Sequence, residues 1–196
     1  MTKPTQLNTG FLSNNFEPET GLKKIQGPLG IVPTSQQRLC GDIGMHIDHY
    51  GDWYYQGSLI KRKELVWLFY QVLRCDEAGN HWLITPMEIA PVNVADVAHV
   101  ITGIKVIGIG LKQIIQFETK MGTCYDLSKV YPLRIELNSK TAEPAPYLGL
   151  DHGLEGKLTR TIFYDLANLA VSETIDCTEK IGVWSAGLFH IIGDPE

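Results

Sequence analysis

What most constrains this chain is how often it is interrupted. Between residues 81 and 137, Pro86, Pro91, Gly108, Gly110, Gly122 and Pro132 cut the sequence into short runs rich in β-branched and aromatic side chains. Those runs cover residues 81–85, 89–94, 99–107, 113–119 and 133–137. A strand needs only a handful of residues, whereas proline and glycine are costly inside a helix. Short strands with turn signals every ten residues or so predict antiparallel β-sheet. No apolar run approaches the roughly 18 residues of a membrane-spanning helix. The densest stretch, residues 65–73, is broken by Gln71.

On either side of this centre the period changes. In residues 42–49, Ile43, Met45 and Ile47 alternate as in a strand; Tyr50-Gly51-Asp52 is a turn and Trp53-Tyr54-Tyr55 begins the return. Gly57-Ser58 then breaks the pattern. Residues 61–74 read as a helix with Leu65, Val66, Leu68, Phe69, Val72 and Leu73 apolar, so wide an apolar arc that most of it is expected to be covered. Residues 141–146 form a proline-rich corner, 147–150 one more strand, 156–172 a second helix with Leu158, Ile162, Leu166 and Leu169 on one stripe, and 183–192 a last strand. Strands with two principal helices make an α+β fold. The helices share an echo, Phe69-Tyr70 and Phe163-Tyr164, set 94 residues apart, about half of the 196-residue chain. Residues 1–38 carry no period and read as an irregular arm.

Charge and cysteine narrow the function. The net charge of −5 argues against general nucleic-acid binding, where phosphate neutralisation dominates affinity. The first twenty residues lack a signal peptide's basic start and apolar core. Cys40, Cys75, Cys124 and Cys177 are far apart, form no C-x-x-C pair, and read as reduced, mostly buried thiols of a cytoplasmic protein.

Most chemical motifs fail on spacing. Ile107-Gly108-Ile109-Gly110-Leu111-Lys112 lacks the third glycine of a dinucleotide loop, since Gln113 stands there, and lacks the G-K-[ST] of a Walker loop. On a strand, His46 and His49 face opposite sides and cannot share a metal. Ser185 has Val183 where a nucleophile elbow needs glycine. No catalytic set, metal site or cofactor is therefore expected, and the chain leans away from being an enzyme. One feature is less bland. Lys61, Arg62 and Lys63 crowd the first turn of a helix, against its dipole. At about 100° per residue, Arg62 falls on the side of Phe69 and Leu73, aimed inward. An inward guanidinium needs a partner. That partner is either a carboxylate such as Asp42 or Glu88, or an anionic ligand shared with Ser58 and the helix N–H groups. Arg160 beside Tyr164 is the other candidate, facing solvent, another domain or a ligand. Trp53 and Trp184 read as core aromatics first and stacking platforms second.

Cys40-Gly41-Asp42-Ile43, Gly51-Asp52-Trp53-Tyr54, Gly57-Ser58, Arg62, Thr85-Pro86, Pro146-Tyr147, Gly153-Leu154-Glu155, Arg160 and Phe163-Tyr164-Asp165-Leu166 occur in the order in which they resemble the bacterial domain-of-unknown-function family twelve eighty-five. The resemblance spans roughly residues 25–192. It implies a duplicated module, each copy antiparallel strands with one main helix, the C-terminal one like a pleckstrin-homology fold. It also implies a nucleotide-like ligand between the modules and a signalling role. Two departures stand out: Gly44 where the family has an acidic residue, and Asp151-His152 where a basic residue is expected. The second weakens anion binding near Gly153.

The expected organisation is an arm over 1–38, an N-terminal α+β module over 39–110 and a C-terminal one over 111–196. The expected function is a regulatory protein binding a small anionic, nucleotide-like ligand through Asp42, Trp53, Ser58, Arg62, Tyr147 and Arg160. Nucleic acid and a membrane span are excluded as partners and a homo-oligomer is allowed. The alternative is a protein-interaction or oligomerisation module with no small ligand.

Overall fold

A computed structural model describes residues 36–137 and 143–195. Nearly all of the arm, and Thr141-Ala142 of the proline-rich corner, lie outside the described residues. The chain divides into two compact units between Asp96 and Val97. The division precedes residues 99–107 instead of falling at 110/111, because that strand takes both its neighbours from further along the chain.

The first unit contains β1 (Arg38–Leu39), β2 (Met45–Ile47), β3 (Trp53–Tyr55), β4 (Ser58–Leu59), α1 (Lys63–Val72), β5 (Leu73–Cys75), β6 (His81–Ile84) and β7 (Glu88–Val94). One sheet runs β4-β3-β2-β7-β6-β5, with β1 also on β7. It is mixed rather than antiparallel: β1 and β2 both lie parallel to β7. Pro91 falls between the part of β7 paired with β1 and the part paired with β2, so its missing N–H breaks no ladder bond on that edge. The strand expected over 42–49 shrinks to β2. The Asp42 carboxylate accepts the Gly44 N–H at 2.8 Å and Gly44 takes φ +73°, a side-chain-closed turn that replaces the first strand residues. Asp48 closes the expected turn, accepting the N–H groups of Tyr50 and Asp52. Met45, Ile47, Trp53, Leu73, Leu83 and Ile89 are buried.

The helix expected over 61–74 is shorter at both ends. Arg62 is its extended N-cap residue, and Leu73 and Arg74 belong to β5, where Arg74 Nη1 donates to the carbonyls of Gln71 and Leu73. Its cover is also narrower than expected. Only Val66 is buried, while Trp67 and Leu68 are 50 % and 54 % exposed.

The second unit contains β8 (His99–Ile107), β9 (Ile114–Thr119), β10 (Cys124–Asp126), β11 (Leu133–Leu137), β12 (Pro144–Gly149), β13 (Glu155–Leu158), α2 (Arg160–Ala167), β14 (Val171–Ile175), β15 (Thr178–Ser185) and β16 (Leu188–Gly193). A six-stranded sheet runs β10-β9-β8-β13-β12-β11, with β13 parallel to β8, and β14-β15-β16 form an antiparallel meander. The long second helix is corrected here: residues 155–158 are a strand and only 160–167 are α-helical. Gly156 explains the change. A side chain there would come within 2.8 Å of Ile101 Cδ1, so the backbone lies close on β8. Leu158, Ile162 and Leu166 are buried as the stripe requires, but the first of them gets there by strand alternation. The single strand of 183–192 is a hairpin, turned at Ala186 and Gly187, both at positive φ. The cysteines correct another expectation: Cys75 is buried, but Cys124 and Cys177 are exposed.

Candidate functional site

The cleft of the second unit exists because a ladder stops. β12 pairs with β13 only from Tyr147, opposite Lys157, onward. Pro144 and Pro146 cannot donate to a strand beyond that point, and after Leu158 the chain turns into α2. The opening is a cleft of about 250 Å³ lined by Glu143, Pro144, Ala145, Pro146, Lys157, Leu158, Arg160, Phe163 and Tyr164.

Two cations reach it. Arg160 sits in the first turn of α2, where its charge opposes the helix dipole. Its side chain is 74 % exposed; Nε donates to the Tyr164 hydroxyl at 2.7 Å, and Nη1 stands 3.8 Å from Glu143. The Tyr164 hydroxyl, more than Glu143, holds the guanidinium above its ordinary pKa. The guanidinium carbon lies 5.5 Å from the Tyr164 ring centre. Lys157 Nζ lies 5.4 Å from the Tyr147 ring centre, and Arg134 Cζ lies 4.4 Å from it. Arg134, Tyr147 and Lys157 are cross-strand neighbours on β11, β12 and β13. Glu155 clamps Arg134 through two bonds of 2.7 Å. Tyr147 is thus buried between two cations and is closed as a wall for a ligand. The ring face attracts the Lys157 ammonium.

The other expected site residues lie in the first unit. Trp53 is buried, stacked on Phe69 at 5.4 Å and edge-on to Tyr70 at 5.2 Å, so it is a core residue. Burial there pushes the Tyr70 hydroxyl up to about 12. Asp42 is committed to its turn. Ser58, in β4, is exposed. Arg62 corrects the helical-wheel expectation. Its side chain is 79 % exposed, with Glu64 at 3.8 Å, because the residue precedes the helix and does not follow its rotation. Of the expected residues, only Arg160 lines the cleft. Lys157, Phe163, Tyr164 and Glu143 were not anticipated there. The alternation of Lys157 between buried Gly156 and Leu158 is the signal that finds it once 155–158 is read as a strand. Among the described residues, no group of three or more His, Cys, Asp or Glu could hold a metal ion.

Among the described residues each unit is mostly β with one α-helix, an α+β protein with several sheets. The chain belongs to the DUF1285 family. Residues 33–97 match the "Domain of unknown function (DUF1285), N-terminal domain", and residues 98–192 match the "Protein of unknown function (DUF1285), C-terminal domain". The crystal structure of a DUF1285 family protein from Silicibacter pomeroyi DSS-3 is 34 % identical, with a TM-score of 0.73 over 81 % of this chain and 84 % of that one. A second, from Shewanella baltica OS155, is 27 % identical, with a TM-score of 0.52 over 64 % of this chain and 91 % of that one. No curated protein matches.

Proposed function

We propose that this chain is a binding protein that holds a small anionic, nucleotide-like ligand in the cleft of its second unit. The observation that carries the reading is the convergence of Lys157 and Arg160 with the rings of Phe163 and Tyr164 on one cleft. Arg160 offers a planar fork for a phosphate or carboxylate, Lys157 a point charge, and Tyr164 a ring face. The volume, about 250 Å³, suits a phosphoryl group and part of a ring more than a large cofactor. Glu143 sets the threshold, because an anion must displace its pairing with Arg160. In this reading Arg62 and Ser58 play no part, and the signalling role implied by the family resemblance becomes release and capture of that ligand. The two units are further read as copies of one module, the second pleckstrin-homology-like. The supporting parallel is a helix followed by a three-stranded antiparallel meander: α1 then β5-β6-β7, and α2 then β14-β15-β16.

The test is a melting-temperature screen with nucleoside mono- and diphosphates and inorganic phosphate at about 5 mM, a concentration that registers weak binding to the folded state. A nucleotide should raise the melting temperature of the wild type and not of Lys157→Ala/Arg160→Ala. No stabilisation of the wild type, or equal stabilisation of both, overturns the reading.

A second reading, an interaction or oligomerisation module, is favoured by one observation, the exposed Leu65, Trp67 and Leu68 of α1. Light scattering on wild type and Trp67→Ser decides it. An oligomer that the substitution dissociates supports it, and a monomer in both removes the oligomer form of the reading.

A further inference from the structure

The glycine-rich stretch that fails as a phosphate loop is the tip of the hairpin joining β8 and β9. β8 continues past its last β13 partner, Ile101 opposite Leu158, and runs with β9 to Ile107 opposite Ile114. At its end Val106, Ile107, Ile109 and Leu111 are all exposed. Ile109 is 89 % exposed and Leu111 59 %; Ile109 is the most exposed large apolar side chain among the described residues. Scattered exposed apolar side chains are ordinary, but four within six consecutive residues on one tip are a surface feature.

The tip is held rather than loose. Gly108 and Gly110 take positive φ to make the turn, and the Gln113 N–H donates to the Gly110 carbonyl. Gln113 Nε2 donates to the Trp184 carbonyl at 2.8 Å, and the Ala186 N–H donates back to the Gln113 carbonyl at 2.9 Å. The foot of the tip is therefore fixed to the β15–β16 turn, which is followed by the exposed Leu188.

Charge singles out the occupant. The chain carries −5 overall, yet residues 97–117 contain Lys105 and Lys112 and no Asp or Glu. Both lysines are exposed, one on each side of the apolar tip. Asp126, opposite Gln116 on β10, accepts a hydrogen bond from that residue. A protruding apolar point needs a matching pocket in a protein partner, but fluid lipid shapes itself around it. Lysines beside such a point lie level with phosphate headgroups while their stems stay in the apolar zone.

We propose that this tip inserts into the surface of an anionic lipid bilayer, with Ile109 and Leu111 entering the acyl boundary and Lys105 and Lys112 at the headgroup phosphates. The surface is separate from the Lys157–Arg160 cleft and does not rest on the ligand reading.

The experiment sediments the full chain with vesicles of phosphatidylcholine containing about 30 % phosphatidylserine, and with phosphatidylcholine alone. The wild type should pellet with the anionic vesicles, less so at high salt and less with neutral ones. Ile109→Asp/Leu111→Asp should weaken binding by about tenfold or more at an unchanged melting temperature. Each of Lys105→Gln and Lys112→Gln should weaken it by about fivefold. Lys157→Ala/Arg160→Ala should leave it unchanged. The proposal is overturned if the wild type stays in the supernatant, or if the tip variant pellets like the wild type. It is also overturned if only the cleft variant loses binding, or if light scattering finds a vesicle-indifferent dimer that Ile109→Asp separates.

Discussion

Ser185 shows how much a single residue's meaning depends on its neighbours. By sequence it is weighed as a nucleophile; in the structure it is fully buried, accepting the Ile115 N–H at 2.9 Å and donating to the Leu127 carbonyl at 2.7 Å. The hydroxyl fastens β15 to the larger sheet of the second unit. Ser185→Ala leaves two buried backbone groups unpaired and should lower stability by about 2 kcal/mol in urea denaturation. His190, on β16, gives a pH dependence. Burial holds its imidazole below the ordinary value of 6.5, against a smaller opposing effect of the Ser185 backbone. A base whose pKa is lowered on folding stays neutral in the folded protein while the unfolded chain takes up a proton. Its contribution is therefore full above pH 6.5 and is lost as the pH falls through that value toward the folded one. The denaturation midpoint should fall on acidification below about pH 6.5, and less steeply in His190→Gln. Arg62 marks where residue-level reading failed. A helical wheel gives its direction only if the helix includes it, and the helix begins one residue later.

At the scale of elements, turn chemistry was legible and cover was not. The hairpin corner at Tyr50-Gly51-Asp52 and the strand of residues 99–107 follow from Gly, Asp and alternation, which act within a few residues. The β15–β16 hairpin was missed because 183–192 is apolar through its turn. Gly182 holds the hairpin close: a Cβ there would lie 2.4 Å from the His190 carbonyl oxygen and 2.6 Å from Phe189 Cζ. Gly182→Ala should therefore cost about 3 kcal/mol, measured as a lowered urea midpoint. The outer face of α1 makes the opposite prediction. Trp67→Ala and Leu68→Ala should each change stability by no more than about 0.5 kcal/mol, because both side chains are half in water. A larger loss of the monomer's stability would restore the broader cover that the helical pattern implied.

For the whole molecule, every described strand ladder closes within one unit. Residues 97–196 expressed alone should accordingly unfold in one cooperative transition by calorimetry, and a gradual, non-cooperative loss of signal would show that the unit needs the rest of the chain. The sequence by itself determined the α+β class, the family, the two helices and most strand positions, because alternation, helix period and turn residues are properties of neighbours along the chain. The tertiary structure alone decided the parallel pairings on β7 and β8, the strand character of 155–158, the outward face of α1 and the cleft that joins Lys157 to Arg160. Each of these depends on which distant segment supplies hydrogen bonds or cover, and one-dimensional periodicity carries no record of that partner.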